Sequence, residues 1–437
     1  MQSSPDHLDI PQAHLPALLQ RLSAAEGFVT LAHSPDRFRC SAWPTRHWQL
    51  PAKAVNLAAW LTDIETSQAA LQVSASAPTI GGVAGYLRYE AGPHCVPGLQ
   101  SQRASSAGHL GQLGLYHWQL DYQTDQGGRL SFNPACPADL KARVIACAQA
   151  PATALPPFRL TQAFRACQSA DAYRQGVSRI LDLIAAGDCY QVNLSQKFTG
   201  SYTGTPFIAW QHLLEQIPVP HAGYYNAGPQ QVLSISPELF LEIRDRRVTS
   251  KPIKGTRPRS NDPQQDKALA DELTQNPKDR AENLMIVDLI RNDLSHFCMP
   301  FSIKVPTLFA VESYRNVHQL VSTVCGELRP EVSPLAALLS AFPGGSITGA
   351  PKRRAMEVID SLEPHERGPY CGSLLWWDGD GNLTSTIAIR TLMTDADGTI
   401  SCWGGCGIVA DSDPEEEYQE SLTKVGRLMS SLEAFRG

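Results

Sequence analysis

Asp279 and Glu282 stand three residues apart in a stretch that reads as helix. Glu417 and Glu420 repeat that spacing near the end of the chain, with Lys424 four residues beyond Glu420. Side chains three or four apart share a helix face, so two such helices meeting would aim four carboxylates at one point. Oxygen ligands of this kind suit Mg²⁺, a hard cation that keeps some of its waters and can be shared with a substrate carboxylate. The same residues also fit two solvated helix faces, with Glu420 and Lys424 as an ordinary pair contributing about 0.3–0.5 kcal/mol.

A second group is basic. Lys251-Pro-Ile-Lys-Gly-Thr-Arg-Pro-Arg259 sets four cations beside a glycine and a threonine, in what reads as a strand end and turn. As a dianion receptor, Gly255 would let backbone approach the ligand and Thr256 would supply a hydroxyl. Lys254 would become a nucleophile if its amine were kept neutral beside another cation or in a dry pocket. A basic surface turn is the competing reading. His318 lies in an alternating run, 312–321, and a lone histidine is usually structural. Arg390 ends another alternating run and offers either a fork to a carboxylate or a partly buried ion pair. Gly405 and Gly407 suit backbone N–H groups that approach a carboxylate. Cys406 between them resembles a nucleophile elbow, but Ile408 stands where the closing glycine belongs. The loop from Pro343 to Lys352 is glycine-rich, yet Ala350 and Pro351 intervene where a phosphate loop needs lysine directly after glycine.

These groups need elements to hold them. Leu284, Val287, Ile290 and Leu294 recur at helical spacing and predict a helix over 278–297 with one buried stripe. Another helix should begin after Asp413, which can cap it, with Pro414 at the favoured first position and Glu416 completing a capping box. Strand-like runs occur at 27–32, 81–89, 231–236, 239–243 and 385–394, and helical patches at 54–63 and 138–149. Pro151, Pro156 and Pro157 mark a linker. The expected organisation is an α+β accessory region, 1–150, followed by a region at 158–437 that carries nearly all the chemistry.

The chain of 437 residues, with 43% hydrophobic and 18% charged residues, reads as globular. Its formal charge of −6 gives no footprint for nucleic acid or an anionic membrane. The apolar stretch 332–351 is broken by prolines and glycines and reads as a helix and loop, not a membrane span. The N-terminus does not resemble a secretory signal. The 11 cysteines are scattered without zinc-type spacing, as expected of reduced thiols in the cytoplasm.

Several segments together resemble the chorismate-utilising enzymes, the family of the anthranilate, aminodeoxychorismate and isochorismate synthase large subunits. They are Gly187-Asp-Cys-Tyr-Gln-Val-Asn-Leu-Ser195, Ser236-Pro-Glu-Leu-Phe240, Pro252-Ile-Lys-Gly-Thr256, the run from Ala281 to Leu294, the loop from Pro343 to Lys352, and the Glu417, Glu420, Lys424 set. Gly81-Gly-Val-Ala-Gly-Tyr-Leu-Arg-Tyr-Glu90 is similar to the family's accessory region. The resemblance implies an anthranilate synthase component I-like fold, with stacked β-sheets in a sandwich flanked by helices and the two sequence regions interwoven. It also implies chorismate as substrate and Mg²⁺ as cofactor, with Glu282 and Glu420 as ligands assisted by Asp279 and Glu417. Thr256, Tyr370, Arg390, Gly405, Gly407 and Lys424 would hold the carboxylates and ring, together with Gly255, and His318 would sit near the reacting ring.

One position separates the family's reactions. Where anthranilate and isochorismate synthases resemble Pro-Ile-Ala-Gly-Thr, the aminating branch has lysine, and this chain has Lys254. The implied chemistry is attack by Lys254 on C2 of chorismate, departure of the 4-hydroxyl as Glu238 protonates it, and addition of ammonia at C4. Lys251, Arg257 and Arg259 would disfavour protonation of Lys254. The product would be 4-amino-4-deoxychorismate, for 4-aminobenzoate and folate synthesis. With no glutaminase motif in the chain, ammonia would come from a separate glutamine amidotransferase subunit. The rival readings are an anthranilate synthase large subunit and, in another class, a catalytically silent chorismate-binding regulatory subunit.

Overall fold

The computed structural model describes residues 7–53, 55–72, 79–99, 108–151, 154–315 and 317–436. Ala54 of the expected 54–63 helix, Ala152 and Thr153 of the expected linker, and Asn316 of the His318 run lie outside the described residues. Among the described residues the strands build two antiparallel sheets, one of 12 strands and one of 10. The sheets face each other through Val29, Leu31, Tyr225 and Val232 from the first and Ala84, Tyr86, Leu374 and Trp376 from the second.

Both sequence regions contribute to each sheet. In the larger one, Val29–Ser34 pairs with Gly223–Asn226. In the smaller one, Gly82–Leu87 pairs with Ser373–Asp378. The proline-rich stretch near residue 151 therefore divides the sequence while both sheets run across the division. Helices cover the outer faces. Pro206–Gln216 and Pro414–Leu432 bury Trp210, Leu213, Val425 and Leu428 against the larger sheet. Pro277–Ser295 buries Ile286, Val287, Ile290 and Leu294 in the other main core. Each such side chain contributes about 1.5–3 kcal/mol by leaving water.

Local sequence explains where the site-bearing helices begin. Asn276 accepts from the Lys278 and Asp279 N–H groups, and Pro277 takes the first helical position. Asp413 likewise accepts from Glu415 and Glu416 N–H. The expected stripe on the first helix is corrected at one end: Leu284 is exposed, and Asn283 takes the inward place. Asn283 Nδ2 donates to the Leu320 carbonyl, and its Oδ1 accepts from Ser322, so a polar side chain is satisfied inside.

Two other expectations change. The run at 385–394 is not one strand: Leu383–Thr386 belongs to the smaller sheet and Thr391–Asp395 to the larger. Both pieces are buried almost throughout, and the chain crosses between sheets at Ile387 to Arg390. Arg390 takes φ +50° at that crossing, a left-handed conformation that costs a non-glycine residue on the order of 1 kcal/mol. The basic segment is also more regular than a turn. Ile253–Pro258 is a strand beside Val317–Glu327, with a shift of register between Ile253 and Thr256. Gly255 sits in that bulge at φ +78°, and a Cβ there would lie 2.8 Å from Asp279 Cγ.

Arg367 joins several of these parts. It is 1% exposed, and its guanidinium donates to both carboxylate oxygens of Glu363, at 2.9 and 2.7 Å. It also donates to the Ile347 carbonyl at 3.0 Å and the Asn193 carbonyl at 2.8 Å, and lies 4.5 Å from the centre of the Tyr89 ring. Cutting one partner from a buried pair leaves a charge without compensation, so Arg367→Met should lower stability by about 3–5 kcal/mol. Removing both charges with Arg367→Met and Glu363→Met should recover part of that loss. Denaturant unfolding measures both, and a single-variant loss below about 1 kcal/mol would remove Arg367 from its joining role.

Candidate active site

A cavity of about 630 Å³ opens where the two sheets and the two capped helices converge. On one wall stands Lys254, whose Nζ is 4.0 Å from Glu282 Oε2. Glu238 lies in the same cavity and is only 5% exposed. The sequence Ser236-Pro-Glu fixes it from below: Ser236 Oγ donates to the Ile387 carbonyl and accepts from Glu238 N–H. Burial pushes the Glu238 carboxyl up to about 7, although the Ser346 hydroxyl bond and the charges of Lys254, Lys424 and Arg390 pull the other way. A carboxyl of that kind is protonated part of the time near neutrality and can donate a proton.

The remaining cations of the basic segment have partners of their own. Lys251 meets Glu312 at 3.0 Å, Arg257 meets Glu272 and Asp279, each at 2.9 Å, and Arg259 meets Asp266 at 2.8 Å. Each is neutralised by a carboxylate, so these three do not supply the repulsive field on Lys254 that the sequence suggested.

All four expected metal-binding carboxylates border the cavity. Burial raises Glu282 and Glu417, and the Glu420 charge raises both further. Burial acts on Glu420 in the same sense, but Lys424 at 2.7 Å outweighs it and holds this carboxyl below its usual range. Such mutual repulsion is what a divalent cation relieves, and Glu282, Glu417 and Glu420 offer the oxygen donors that Mg²⁺ takes. Asp279 fits less well, because Arg257 already occupies one of its oxygens. Oxygens of Glu417 and Glu420 lie within 4.8 Å of each other and of Cys406 Sγ. Burial pushes that thiol up to about 12, so it is neither a thiolate ligand nor a nucleophile at neutral pH.

The opposite wall suits an anion. Arg390 is partly buried, borders the cavity and forms no ion pair among the described residues. Burial lowers its affinity for the proton, with Arg427 acting in the same sense. The crossing between sheets thus leaves a guanidinium unpaired where a carboxylate could meet it. Tyr370 stacks on Trp403 with ring centres 6.2 Å apart. Thr256, Gly405, Gly407 and Lys424 also border the cavity. The glycines have a packing role as well: a Cβ on Gly405 would lie 2.6 Å from the Leu194 carbonyl, and one on Gly404 would strike the Ser421 carbonyl. This close approach of helix to strand brings Lys424 Nζ to 3.2 Å from the Gly405 carbonyl.

The structure does not bring His318 to the cavity. Its Nδ1 is 2.8 Å from Ser313 Oγ and its Nε2 is 3.0 Å from Asp266 Oδ1, on the opposite face of the strand. Successive strand residues face opposite ways, so it is Gln319 that borders the cavity. A place for His318 near the reacting ring is implied by the family resemblance alone, and the alternation of the run does not say which neighbour faces inward. Sequence reasoning passed over Ser346, whose hydroxyl donates to Glu238 Oε1 at 2.8 Å, and Asn193 on the wall of the larger sheet. Both stand in segments already singled out, the glycine-rich loop and the Gly187 to Ser195 stretch.

The chain and its fold have parallels in known proteins. Aminodeoxychorismate synthase component 1 of Salmonella typhimurium is 43% identical over 323 residues, 74% of this chain and 70% of that protein. Anthranilate synthase component 1 of Synechocystis is 43% identical over 263 residues, 58% of this chain and 52% of that one. The crystal structure of anthranilate synthase component I from Streptococcus pneumoniae superposes with a TM-score of 0.79 at 26% identity, covering 90% of this chain and 92% of that one. The sandwich described above is accordingly the anthranilate synthase component I-like fold. The model of the chorismate binding enzyme family matches residues 29–430, and the chain belongs to that family.

Proposed function

We propose that this enzyme replaces the 4-hydroxyl of chorismate with ammonia, giving 4-amino-4-deoxychorismate for 4-aminobenzoate and folate synthesis. The observation that carries the reading is Lys254, a primary amine bordering the cavity that also holds the buried Glu238. The aminating branch of the family has lysine at this position, and enterobacterial relatives at 42–44% identity are aminodeoxychorismate synthase component 1 proteins.

In the first step the neutral Lys254 amine attacks C2 of chorismate. The two ring double bonds shift to C1=C6 and C4=C5, and the C4–O bond breaks as Glu238 gives its proton to the departing hydroxyl, which leaves as water. In the second step ammonia attacks C4, the double bonds return, and the C2–N bond to lysine breaks. The Glu238 carboxylate left by the first step takes the proton that ammonia sheds. The sum is chorismate and ammonia giving the amino product and water. A covalent intermediate replaces one hard displacement by two easier ones, and proton donation contributes about 10²- to 10⁴-fold. Arg390, Thr256, Tyr370, Lys424 and the Gly405 and Gly407 backbone would orient the two carboxylates and the ring, which is where positioning gains arise. Mg²⁺, held when bound by Glu282, Glu417 and Glu420, would neutralise and orient the ring carboxylate.

The ammonia would come from a separate glutamine amidotransferase subunit, a view supported by the "component 1" in the relatives' names. A cytoplasmic location suits the eleven free cysteines. No helix among the described residues is long and apolar enough to cross a membrane.

Incubation with chorismate, Mg²⁺ and an ammonium salt should give a C4-aminated product that keeps its enolpyruvyl group, identified by mass spectrometry. Anthranilate with pyruvate would overturn the reading in favour of an anthranilate synthase. Lys254→Ala should slow amination on the order of 10³-fold or more and abolish a protein adduct with the mass of chorismate less water; an unchanged rate would refute the nucleophile. Because Glu238 must be protonated to act as donor, the rate should fall as pH rises through about 7. Ser346→Ala removes a bond that favours the ionised carboxyl, so that descending limb should move to higher pH. Glu282→Gln and Glu420→Gln should each raise the Mg²⁺ concentration for half-maximal activity by about 10-fold or more. Asp279→Asn should have a smaller effect, and equal effects from all three would contradict the ligand assignment.

A further inference from the structure

Two carboxamides in the cavity wall take no part in the reaction as written. Gln319 is 2% exposed and Asn193 is 7% exposed, and both border the cavity. Gln319 Oε1 and Asn193 Oδ1 are buried without a hydrogen-bond partner. Their backbones are tied down by contrast. Asn193 N–H donates to the Thr348 carbonyl at 2.8 Å, and its own carbonyl accepts from Arg367 at 2.8 Å. Gln319 stands between two partner strands, opposite Thr256 and Glu312. Two acceptors are thus fixed in place and left empty, and buried acceptors are normally matched. Donors that arrive with the ligands would match them.

The reacting molecules bring few donors. The carboxylates and the enol ether of chorismate only accept hydrogen bonds, and its 4-hydroxyl is its one O–H. Ammonia brings three N–H bonds. We infer that Gln319 Oε1 receives the incoming ammonia and Asn193 Oδ1 receives the 4-hydroxyl, an assignment that rests on the amination reading above. The neighbours decide which is which. Arg367 holds the carbonyls of Asn193 and Ile347 together, and Ile347 follows Ser346, whose hydroxyl bonds the Glu238 carboxyl that protonates the leaving oxygen. Gln319 stands opposite Thr256, on the strand of Lys254, which holds the ring in the intermediate that ammonia meets. A neutral amide suits this task. It accepts one N–H and leaves the nitrogen lone pair free to attack C4, whereas a carboxylate would favour ammonium, which has no lone pair to offer.

The test uses the purified chain with ammonium salt as nitrogen source and follows the two half-reactions separately. Without ammonia, Gln319→Leu should form the chorismate adduct at a rate within about twofold of the parent. On adding ammonium, the concentration for half-maximal adduct consumption should rise about 10-fold, the worth of one hydrogen bond, with the chorismate KM unchanged. Gln319→Glu should consume the adduct slowly, with the rise of that rate with pH moved to higher pH because more of the bound nitrogen is ammonium. Asn193→Leu should slow adduct formation and leave the ammonium dependence alone. An unchanged ammonium dependence in Gln319→Leu, or an equal rise in chorismate and ammonium KM, overturns the ammonia site; a shifted ammonium dependence in Asn193→Leu overturns the division of roles. A parent enzyme that gives no C4-aminated product from chorismate and ammonium overturns the amination reading itself, and is recognised before any variant is made.

Discussion

A guanidinium buried beside a carboxylate is costly to desolvate, and the cost is offset only while every donor finds an acceptor. Arg367 comes close to that condition, placing four of its five N–H groups on acceptors: two on Glu363 and one each on the Asn193 and Ile347 carbonyls. Glu363 in turn accepts from Ser195 N–H and Oγ. The loop that carries Ser346, the strand that carries Asn193, and the Tyr89 segment leaving the smaller sheet are therefore held to one point. If that point loosened, the proton donor would lose its hydroxyl support and the cavity one of its walls. A single over-determined charge thus transmits order from the sheets to a wall made partly of irregular chain.

The cavity gains its chemistry from places where regular structure stops. The chain leaves one sheet for the other at Ile387 to Arg390, and the crossing leaves Arg390 in a left-handed conformation beside the cavity, without an ion pair among the described residues. The bulge at Gly255 departs from the ladder and lets Asp279 approach. Glu238 follows Ser236 and Pro237 where one ladder ends and the next begins, and its backbone N–H is met by a side chain rather than a strand. These departures concentrate opposite charges in a partly dry space, where each affects its neighbours more strongly than it would in water.

Much of this was legible in the sequence because it depends on local rules. The helix that starts after Asp413 follows from that cap and Pro414, and the helix over 278–297 from its spacing, each with carboxylates three residues apart. The fold and the grouping of Lys254, Glu238 and the acidic cluster came from the family resemblance rather than from periodicity. What stayed hidden depends on orientation in space. Alternation shows that His318 and Gln319 face opposite ways but not which faces in, and it is Gln319 that borders the cavity. Leu284 looked like the first residue of a buried stripe, yet Asn283 is satisfied inside by Leu320 and Ser322 on a strand distant in sequence. The run at 385–394 has one alternation but belongs to two sheets, and nothing local reports the change. The pairing of Arg257 with Glu272 and Asp279 likewise appears only once helix and strand are packed together.

The sharing of both sheets between the two sequence regions has a bearing on how the chain is made. On the ribosome, Val29–Ser34 emerges long before Gly223–Asn226, and Gly82–Leu87 longer still before Ser373–Asp378. At about 5–20 residues per second, each early strand waits tens of seconds for the partner that closes its ladder. Through that interval the first region presents open strand edges, together with the apolar face that later meets Leu374 and Trp376. Synthesis of Ser373–Asp378, rather than growth of the first region, is then the step that lets the smaller sheet and its buried face close, and the nascent protein depends until then on whatever shields those edges from one another.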